Sequence, residues 1–181
     1  SNGLLGQKLL HKLRQDSSVE LIATSKGENR VSNKEGYTYF DLDITNNDAV
    51  AQLIESEKPQ VVINTAAMTN VDLCEDEKQA CDALNVDAVR YLADACEKIA
   101  SHLIQISTDF IFDGENGPYT EEAIPNPLSY YGLSKFKSEQ LLQVHSVKWT
   151  VLRTIIVFGV GEKLSKGNIV IWAKDALEKG D

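Results

Sequence analysis

Tyr131 and Lys135 stand four residues apart in the run Tyr131-Gly-Leu-Ser-Lys135, and of the six tyrosines only Tyr131 has a lysine at that spacing. On a helix, four residues of separation place two side chains on one face, about 6 Å apart. A fixed ammonium favours phenolate over phenol, so the pair implies a tyrosine easier to ionise than its ordinary pKa of about 10. Thr108, where an apolar run ends, supplies a hydroxyl able to face that pair across a crevice. A phenol, an ammonium and a hydroxyl so grouped suit general acid catalysis. The competing reading is a packing tyrosine beside a surface lysine.

These residues lie on one stretch, Gln105 to Lys135, with the sequence QISTDFIFDGENGPYTEEAIPNPLSYYGLSK. It begins as a buried strand, breaks at Ser107-Thr108-Asp109, crosses a loop containing Pro118, Pro125 and Pro127, and re-enters a helix spanning Ser129 to Val144. Upstream, Leu4, Leu5, Leu9, Leu10 and Leu13 recur at helical spacing. Val19 to Thr24 and Tyr37 to Leu42 read as strands, and Asp48 to Lys58 as a helix ended by Pro59. Val61 to Asn64 is a buried strand opening into Thr65-Ala66-Ala67. Lys78 to Ala100 reads as one long helical region, followed by a strand from His102 to Ile106. Downstream come a strand from Trp149 to Leu152 and a helix from Asn168 to Lys179. Strands that are short continuous apolar runs, alternating with helices, predict an α/β fold with a parallel sheet covered by helices on both faces.

Gly3 and Gly6 have the spacing of the last two glycines of a GxxGxxG turn, where bare backbone approaches a pyrophosphate at a helix N-terminus. A plain helix start capped by Asn2 is the competing local reading. The next strand ends in Ala23-Thr24-Ser25-Lys26, with Arg30 nearby and no acid until Glu28. Hydroxyls and cations there suit a 2′-phosphate, which favours NADP(H) over NAD(H), while a solvated loop explains Lys26 and Arg30 as well. A βαβ nucleotide fold needs a strand before its first helix. The chain therefore reads as a piece of a longer polypeptide, lacking its first strand and a C-terminal region.

Composition narrows the class. The chain has 181 residues, 43% hydrophobic and 25% charged, which suits one domain with a full core. Its net charge of −9 disfavours non-specific binding to nucleic acid or anionic membranes. No apolar run approaches the ~18 residues of a membrane helix, and the N-terminus lacks a secretory pattern. Cys74, Cys81 and Cys96 lack CxxC spacing and read as buried or half-buried thiols of a reducing cytoplasm; no metal site is expected. His11, His102 and His145 are scattered and show no ligand spacing.

Gly3-Leu-Leu-Gly6, Asp41-Leu-Asp43-Ile44, Asn64-Thr-Ala-Ala67, Ser107-Thr-Asp109 and Tyr131-Gly-Leu-Ser-Lys135 occur in the order seen in extended short-chain dehydrogenase/reductases, which the chain resembles over essentially its whole length. Within these it is most similar to the dTDP-4-dehydrorhamnose reductases, through Pro59 to Ala67, Thr69 to Glu75, Ser107 to Gly114 and Leu152-Arg-Thr154. The resemblance implies a Rossmann-like doubly wound domain over residues 1–181, with a smaller sugar-nucleotide-binding region beyond it. It implies NADPH-dependent reduction of the 4-keto group of a nucleotide-sugar. Tyr131 would protonate the carbonyl oxygen, Thr108 would bond the same oxygen, and Lys135 would hold the nicotinamide ribose. Asn2, Gly3, Leu4 and Gly6 would carry the pyrophosphate, and Ser25, Lys26 and Arg30 the adenosine ribose. Asp43 and Ile44 would line the adenine pocket, Ala66, Ala67 and Met68 would pass the cofactor by backbone contact, and Asp109 would reach the substrate. A homodimer fits the resemblance but is not readable from these residues.

The chain also departs from that pattern. Phe110 and Ile111 replace the usual Tyr-Val after Ser-Thr-Asp. Ile155-Ile156 replaces the Ser-Trp that commonly follows Arg-Thr, which implies a reshaped sugar pocket. Sugar-nucleotide dehydratases need a glutamate where Phe110 stands, which disfavours water elimination. A nucleotide-sugar 4-epimerase would use a similar Thr-Tyr-Lys set. A non-catalytic NADP-binding subunit, like the regulatory subunit of methionine adenosyltransferase, is the other alternative.

Overall fold

The computed structural model describes residues 1–164 and 167–179. The chain divides into two compact units: Ser1–Asp43 with Ile156–Asp181, and Ile44–Ile155. Parallel strands alternate with helices in a Rossmann-like, doubly wound arrangement with helices on both faces, as the apolar runs predict. Among the described residues, no helix is long and apolar enough to cross a membrane.

The first unit holds α1 (Leu4–Leu13), β1 (Ile22–Ser25), β2 (Thr38–Asp41) and, much later in the chain, α7 (Ile169–Lys179). Strands β1 and β2 pair in parallel, Ile22 opposite Thr38. Leu10, Ala23 and Val31 form a small core, with Leu21, Tyr37 and Tyr39 packed on it. Helix α1 follows the leucine spacing, but its N-cap is Gly3 and no side chain caps it. Helix α7 starts one residue later than expected because Asn168 accepts a hydrogen bond from the Ile171 N–H. None of its side chains is buried.

The second unit is larger. It contains α2 (Asn47–Glu57), β3 (Val61–Asn64), α3 (Val71–Asp76), α4 (Lys78–Asp82), α5 (Ala88–Lys98), β4 (His102–Thr108), α6 (Tyr130–Gln143) and β5 (Lys148–Thr154). Its sheet has the order β3-β4-β5, all parallel. Only the central strand is deeply buried: Leu103 and Gln105 are fully covered, whereas Val61 and Ile63 on β3 remain 47% and 36% exposed. The expectation of strands buried on both faces therefore fails at the edges of this sheet, where one neighbour is lacking.

Helix α2 begins where the Asn46 side chain accepts from the Ala49 N–H at 3.1 Å, a cap worth about 1 kcal/mol. It ends at Lys58, which takes a left-handed conformation (φ 47°) because Pro59 disfavours a further helical residue.

Two expectations need correction. The region from Lys78 to Ala100 is not one helix: α4 and α5 are joined by a π-helical turn at Ala83–Asp87. A separate short helix, α3, precedes it, started by the Asn70 side chain accepting from the Leu73 N–H. The break at Ser107-Thr108-Asp109 also lies later than expected. Ser107 and Thr108 still pair with Arg153 and Thr154 in β5, and the chain turns only in a 3₁₀ segment at Asp109–Ile111.

Candidate active site

Strand β4 and helix α6 build the site in the second unit. Strand β4 buries Leu103, Gln105 and Ser107 on alternate positions, so its covered face turns polar toward the C-terminal end. Gln105 accepts from the Asn64 side chain at 2.8 Å and donates to the Ile106 carbonyl, which satisfies a buried amide between β3 and β4. Thr108 ends the strand. Its hydroxyl donates to Asp109 at 3.2 Å and accepts from the Phe110 N–H at 3.2 Å.

Helix α6 starts at a fixed point because Ser129 accepts from the Gly132 N–H at 3.1 Å. Gly132 is required by space. A Cβ at that position would lie 2.2 Å from the Phe110 carbonyl oxygen. Its absence lets the first turn of α6 press on the 3₁₀ turn and sets the Tyr131 ring edge-on to Phe110, centroids 5.8 Å apart and planes at 69°.

Burial governs the electrostatics. Lys135 is 2% exposed, and loss of water pulls its pKa down to about 8, with the Glu139 carboxylate one turn along opposing that shift. The Tyr131 phenol is pushed up, chiefly by burial and further by Cys74, Asp109 and Cys81, while the Thr108 hydroxyl hydrogen-bonded to it pulls the other way. The expectation of an easily ionised Tyr131 is thus reversed. A half-buried phenol next to groups that take negative charge stays protonated at neutral pH, which is the form a proton donor needs.

Asn85 is a site residue that the sequence reading misses. It lies in the π-helical turn, 1% exposed. Its Oδ1 accepts from the Met68 N–H at 2.8 Å, and its Nδ2 donates to the Met68 carbonyl at 3.0 Å and to the Ser134 hydroxyl at 2.9 Å. Ser134 in turn donates to the Tyr131 carbonyl at 2.7 Å. One amide therefore ties the segment after β3 to the turn of α6 that bears Tyr131. The Ala66 N–H is held by Asn64 at 3.1 Å, so Ala66, Ala67 and Met68 form a shaped loop, and Met68 commits both backbone polar groups to Asn85. The sequence signal for Asn85 is faint: an amide between Leu84 and Val86, in a helical stretch that also carries Asp82 and Asp87.

A second missed residue, Glu139, is also 2% exposed. It accepts from Ser107 and from Arg153, whose Nη2 stands 2.8 Å away. Its signal was present: it lies one helical turn beyond Lys135, on the same face of α6. Cys74, Cys81 and Cys96 are buried thiols, as their spacing suggests, and burial pushes Cys96 up to about 11.

The other sequence-derived residues gather in the first unit. Asn2 is not a helix cap. Its side chain donates to the Glu28 carbonyl at 2.8 Å and accepts from the Arg30 N–H at 2.9 Å, so it pins the loop after β1. The start of α1 is left with no side-chain cap and no acid in its first turn. A Cβ at Gly3 would meet nothing within 4 Å, whereas at Gly6 it would lie 2.8 Å from the Ser1 backbone. Bare amides, open space above Gly3 and a close approach at Gly6 fit a pyrophosphate held by Gly3, Leu4 and their neighbours. Lys26 pairs with Asp43 at 2.7 Å, which raises its pKa. Ser25 accepts from the Leu42 N–H at 3.0 Å. Ser25, Lys26, Arg30 and Asp43 thus fall within one unit, and Ile44 opens the next.

Comparison with known proteins gives a consistent picture. The family model described as RmlD substrate binding domain matches residues 1–177. A dTDP-4-dehydrorhamnose reductase of Aggregatibacter actinomycetemcomitans is 39% identical over 160 residues, covering 88% of this chain and 50% of that protein. The methionine adenosyltransferase 2 subunit beta of Bos taurus is 33% identical over 171 residues, covering 94% of this chain and 49% of that protein. The crystal structure of dTDP-4-dehydrorhamnose reductase from Bacillus anthracis, in complex with NADP, superposes with a TM-score of 0.79 at 29% identity, covering 98% of this chain and 57% of that one. The chain spans about half the length of the curated relatives it matches.

Proposed function

The chain belongs to the RmlD substrate binding domain family, within the extended short-chain dehydrogenase/reductases, and on that premise we propose that its full-length protein is a sugar-nucleotide oxidoreductase. The finer reading is NADPH-dependent reduction of the 4-keto group of a nucleotide-sugar, in the manner of the dTDP-4-dehydrorhamnose reductases. We assign residues 1–181 to the NAD(P)-binding Rossmann portion of that protein, with a substrate-binding region contributed by the remainder. Such an enzyme would serve envelope polysaccharide synthesis in a cytoplasm.

One observation supports this reading: the Thr108 hydroxyl is hydrogen-bonded to a protonated Tyr131 where β4 ends against α6, and the buried Lys135 lies one turn further along that helix. Bound NADPH would supply the hydride. Gly3, Leu4 and Gly6 would hold its pyrophosphate, Ser25, Lys26 and Arg30 its adenosine ribose and 2′-phosphate, Asp43 and Ile44 its adenine, and Lys135 its nicotinamide ribose. Tyr131 gives its phenolic proton to the substrate's carbonyl oxygen as negative charge develops there. Thr108 donates a hydrogen bond to the same oxygen and fixes its position. A donor placed where charge develops lowers the barrier, typically by about 10²–10⁴-fold. Phe110, unable to transfer a proton, supports reduction over water elimination.

The experiment is direct. Full-length protein, NADPH and dTDP-4-dehydrorhamnose are mixed and cofactor absorbance is followed. Turnover is expected, and Tyr131→Phe should lower kcat at least 10²-fold with NADPH affinity nearly unchanged. No oxidation with this or related 4-keto sugars sinks the reductase reading. The second reading, an NADP-binding regulatory subunit, draws on the 33% identity to methionine adenosyltransferase 2 subunit beta. NADPH binding without turnover, together with a change in the rate of an added methionine adenosyltransferase, would favour it.

A further inference from the structure

Glu139 is a fully covered carboxylate that the proposed chemistry does not use. It sits on α6, four residues after Lys135. Three groups hold it. The Ser107 hydroxyl donates to Oε1. Arg153 of β5 donates from Nε to Oε1 at 3.2 Å and to Oε2 at 3.3 Å, and from Nη2 to Oε2 at 2.8 Å. The same guanidinium reaches past the carboxylate: Nη1 donates to the Glu121 carbonyl at 3.0 Å, and the group lies 5.5 Å from the centre of the Phe112 ring. Glu139 therefore sits where the helix of Tyr131 and Lys135, the strand of Thr108 and the loop between them converge.

A buried ion pair of this kind is poor evidence for stability, since isosteric apolar packing serves as well or better. Its placement points instead to the site. Thr108 is adjacent in sequence to Ser107, so a grip on Ser107 sets where the Thr108 hydroxyl points. Lys135, for its part, is buried with few compensating charges.

We propose that Glu139 is a positioning residue for the reduction, its carboxylate locking the end of β4 that bears Thr108 to the turn of α6 that bears Lys135 while keeping Lys135 charged. This inference rests on the reductase reading. The groups that bear on Lys135 are Glu139 from α6 and Cys81 from α4. Those that bear on Tyr131 are Thr108 and Asp109 from the β4 end and the thiols Cys74 and Cys81. Arg153 partly neutralises Glu139, so the carboxylate steadies the lysine without forming a competing ion pair with it.

The test uses full-length protein labelled with ¹³Cε-lysine, the Lys135 signal being assigned by Lys135→Arg. Glu139→Gln keeps the shape and the Ser107 contact but removes the charge. Burial pulls Lys135 down to about 8, and in the variant its titration is expected to move to lower pH by about one unit. The alkaline limb of kcat/KM should move with it. If the variant only melts earlier, with both titrations unchanged, the carboxylate is a strut and the proposal is overturned. Should Glu139→Gln fail to fold, Ser107→Ala leaves both charges in place and breaks the grip on β4. It is expected to lower kcat about fivefold with NADPH affinity unchanged, and an unaltered kcat counts against the proposal. If the wild type reduces no 4-keto sugar, the function reading falls, while the Lys135 titration in Glu139→Gln still decides the role of Glu139.

Discussion

A lysine at 2% exposure is a group the folded state accommodates at a cost. The sign follows from the two states. Unfolded, Lys135 has the ordinary pKa of about 10.4; folded, it lies near 8. Between those values the unfolded chain binds more protons, so this group makes stability rise with pH across that window, and below pH 8 the full penalty is present. Lys135→Met is therefore expected to raise stability at pH 7 by about 1–3 kcal/mol, a gain that shrinks above pH 8, while turnover is lost. Thermal melts at pH 7 and pH 9.5 with parallel assays check this, and a variant less stable at pH 7 contradicts it. Lys26 is the second residue with a clear expectation. Its side chain is 78% exposed and pairs with Asp43, and on the proposed reading it would hold the 2′-phosphate that NADPH has and NADH lacks. Lys26→Ala should raise KM for NADPH about tenfold and leave KM for NADH nearly unchanged. Equal effects on both cofactors would return Lys26 to the solvated loop.

At the scale of elements, the contact between α6 and the 3₁₀ turn sets the site. A methyl group at residue 132 would lie 2.2 Å from the Phe110 carbonyl oxygen, a backbone atom that cannot swing aside. Gly132→Ala should thus cost about 1–3 kcal/mol of stability and about 10²-fold in kcat/KM, since a shift of 1 Å at a reacting group has that effect. A variant with wild-type kinetics would show that the first turn of α6 can move freely. What the sequence disclosed depended on range. The strand Val61–Asn64 was legible to the residue, because an apolar run bounded by Pro59 and by small residues leaves little choice. The placing of Tyr131 and Lys135 one turn apart on one helix was legible because spacing on a helix is a local fact. Helix α3 was not, since its six residues depend on the Asn70 cap and are too few to show a period. The roles of Asn85 and Glu139 were not, because their partners Met68, Ser134, Ser107 and Arg153 come from other elements, although the spacing of Glu139 one turn beyond Lys135 was visible.

Across the whole molecule, burial is unevenly spread. Strand β4 lies at the centre of its sheet with Leu103 and Gln105 fully covered, whereas α7 buries no side chain and leaves Trp172 69% and Leu177 78% exposed. Local opening is easiest where few contacts are lost. In the 181-residue chain, amides of β4 should exchange with solvent most slowly and those of α7 among the fastest, as hydrogen-exchange mass spectrometry reads. Equal protection of the two would contradict this gradient. Thr108 ends that strand and α6, which bears Tyr131 and Lys135, packs against it, so the part of the molecule that must be held still is expected to be the part that opens last. With a net charge of −9, the proposed cofactor would have to be held by local devices, the uncapped helix start at Gly3 and the cations Lys26 and Arg30, and not by a general positive field.

The π-helical turn at Ala83–Asp87 adds one residue to a helix that would otherwise run through. Removing a residue there would leave a smoother, more regular helix, with α5 keeping its facing relative to α4 and only the widened turn closing. Asn85 would then lose the wide turn that presents it to Met68 and Ser134, while the buried stripe of α5 would stay covered. A one-residue deletion there is thus expected to make the helix more regular and leave the loop at Met68 without its anchor.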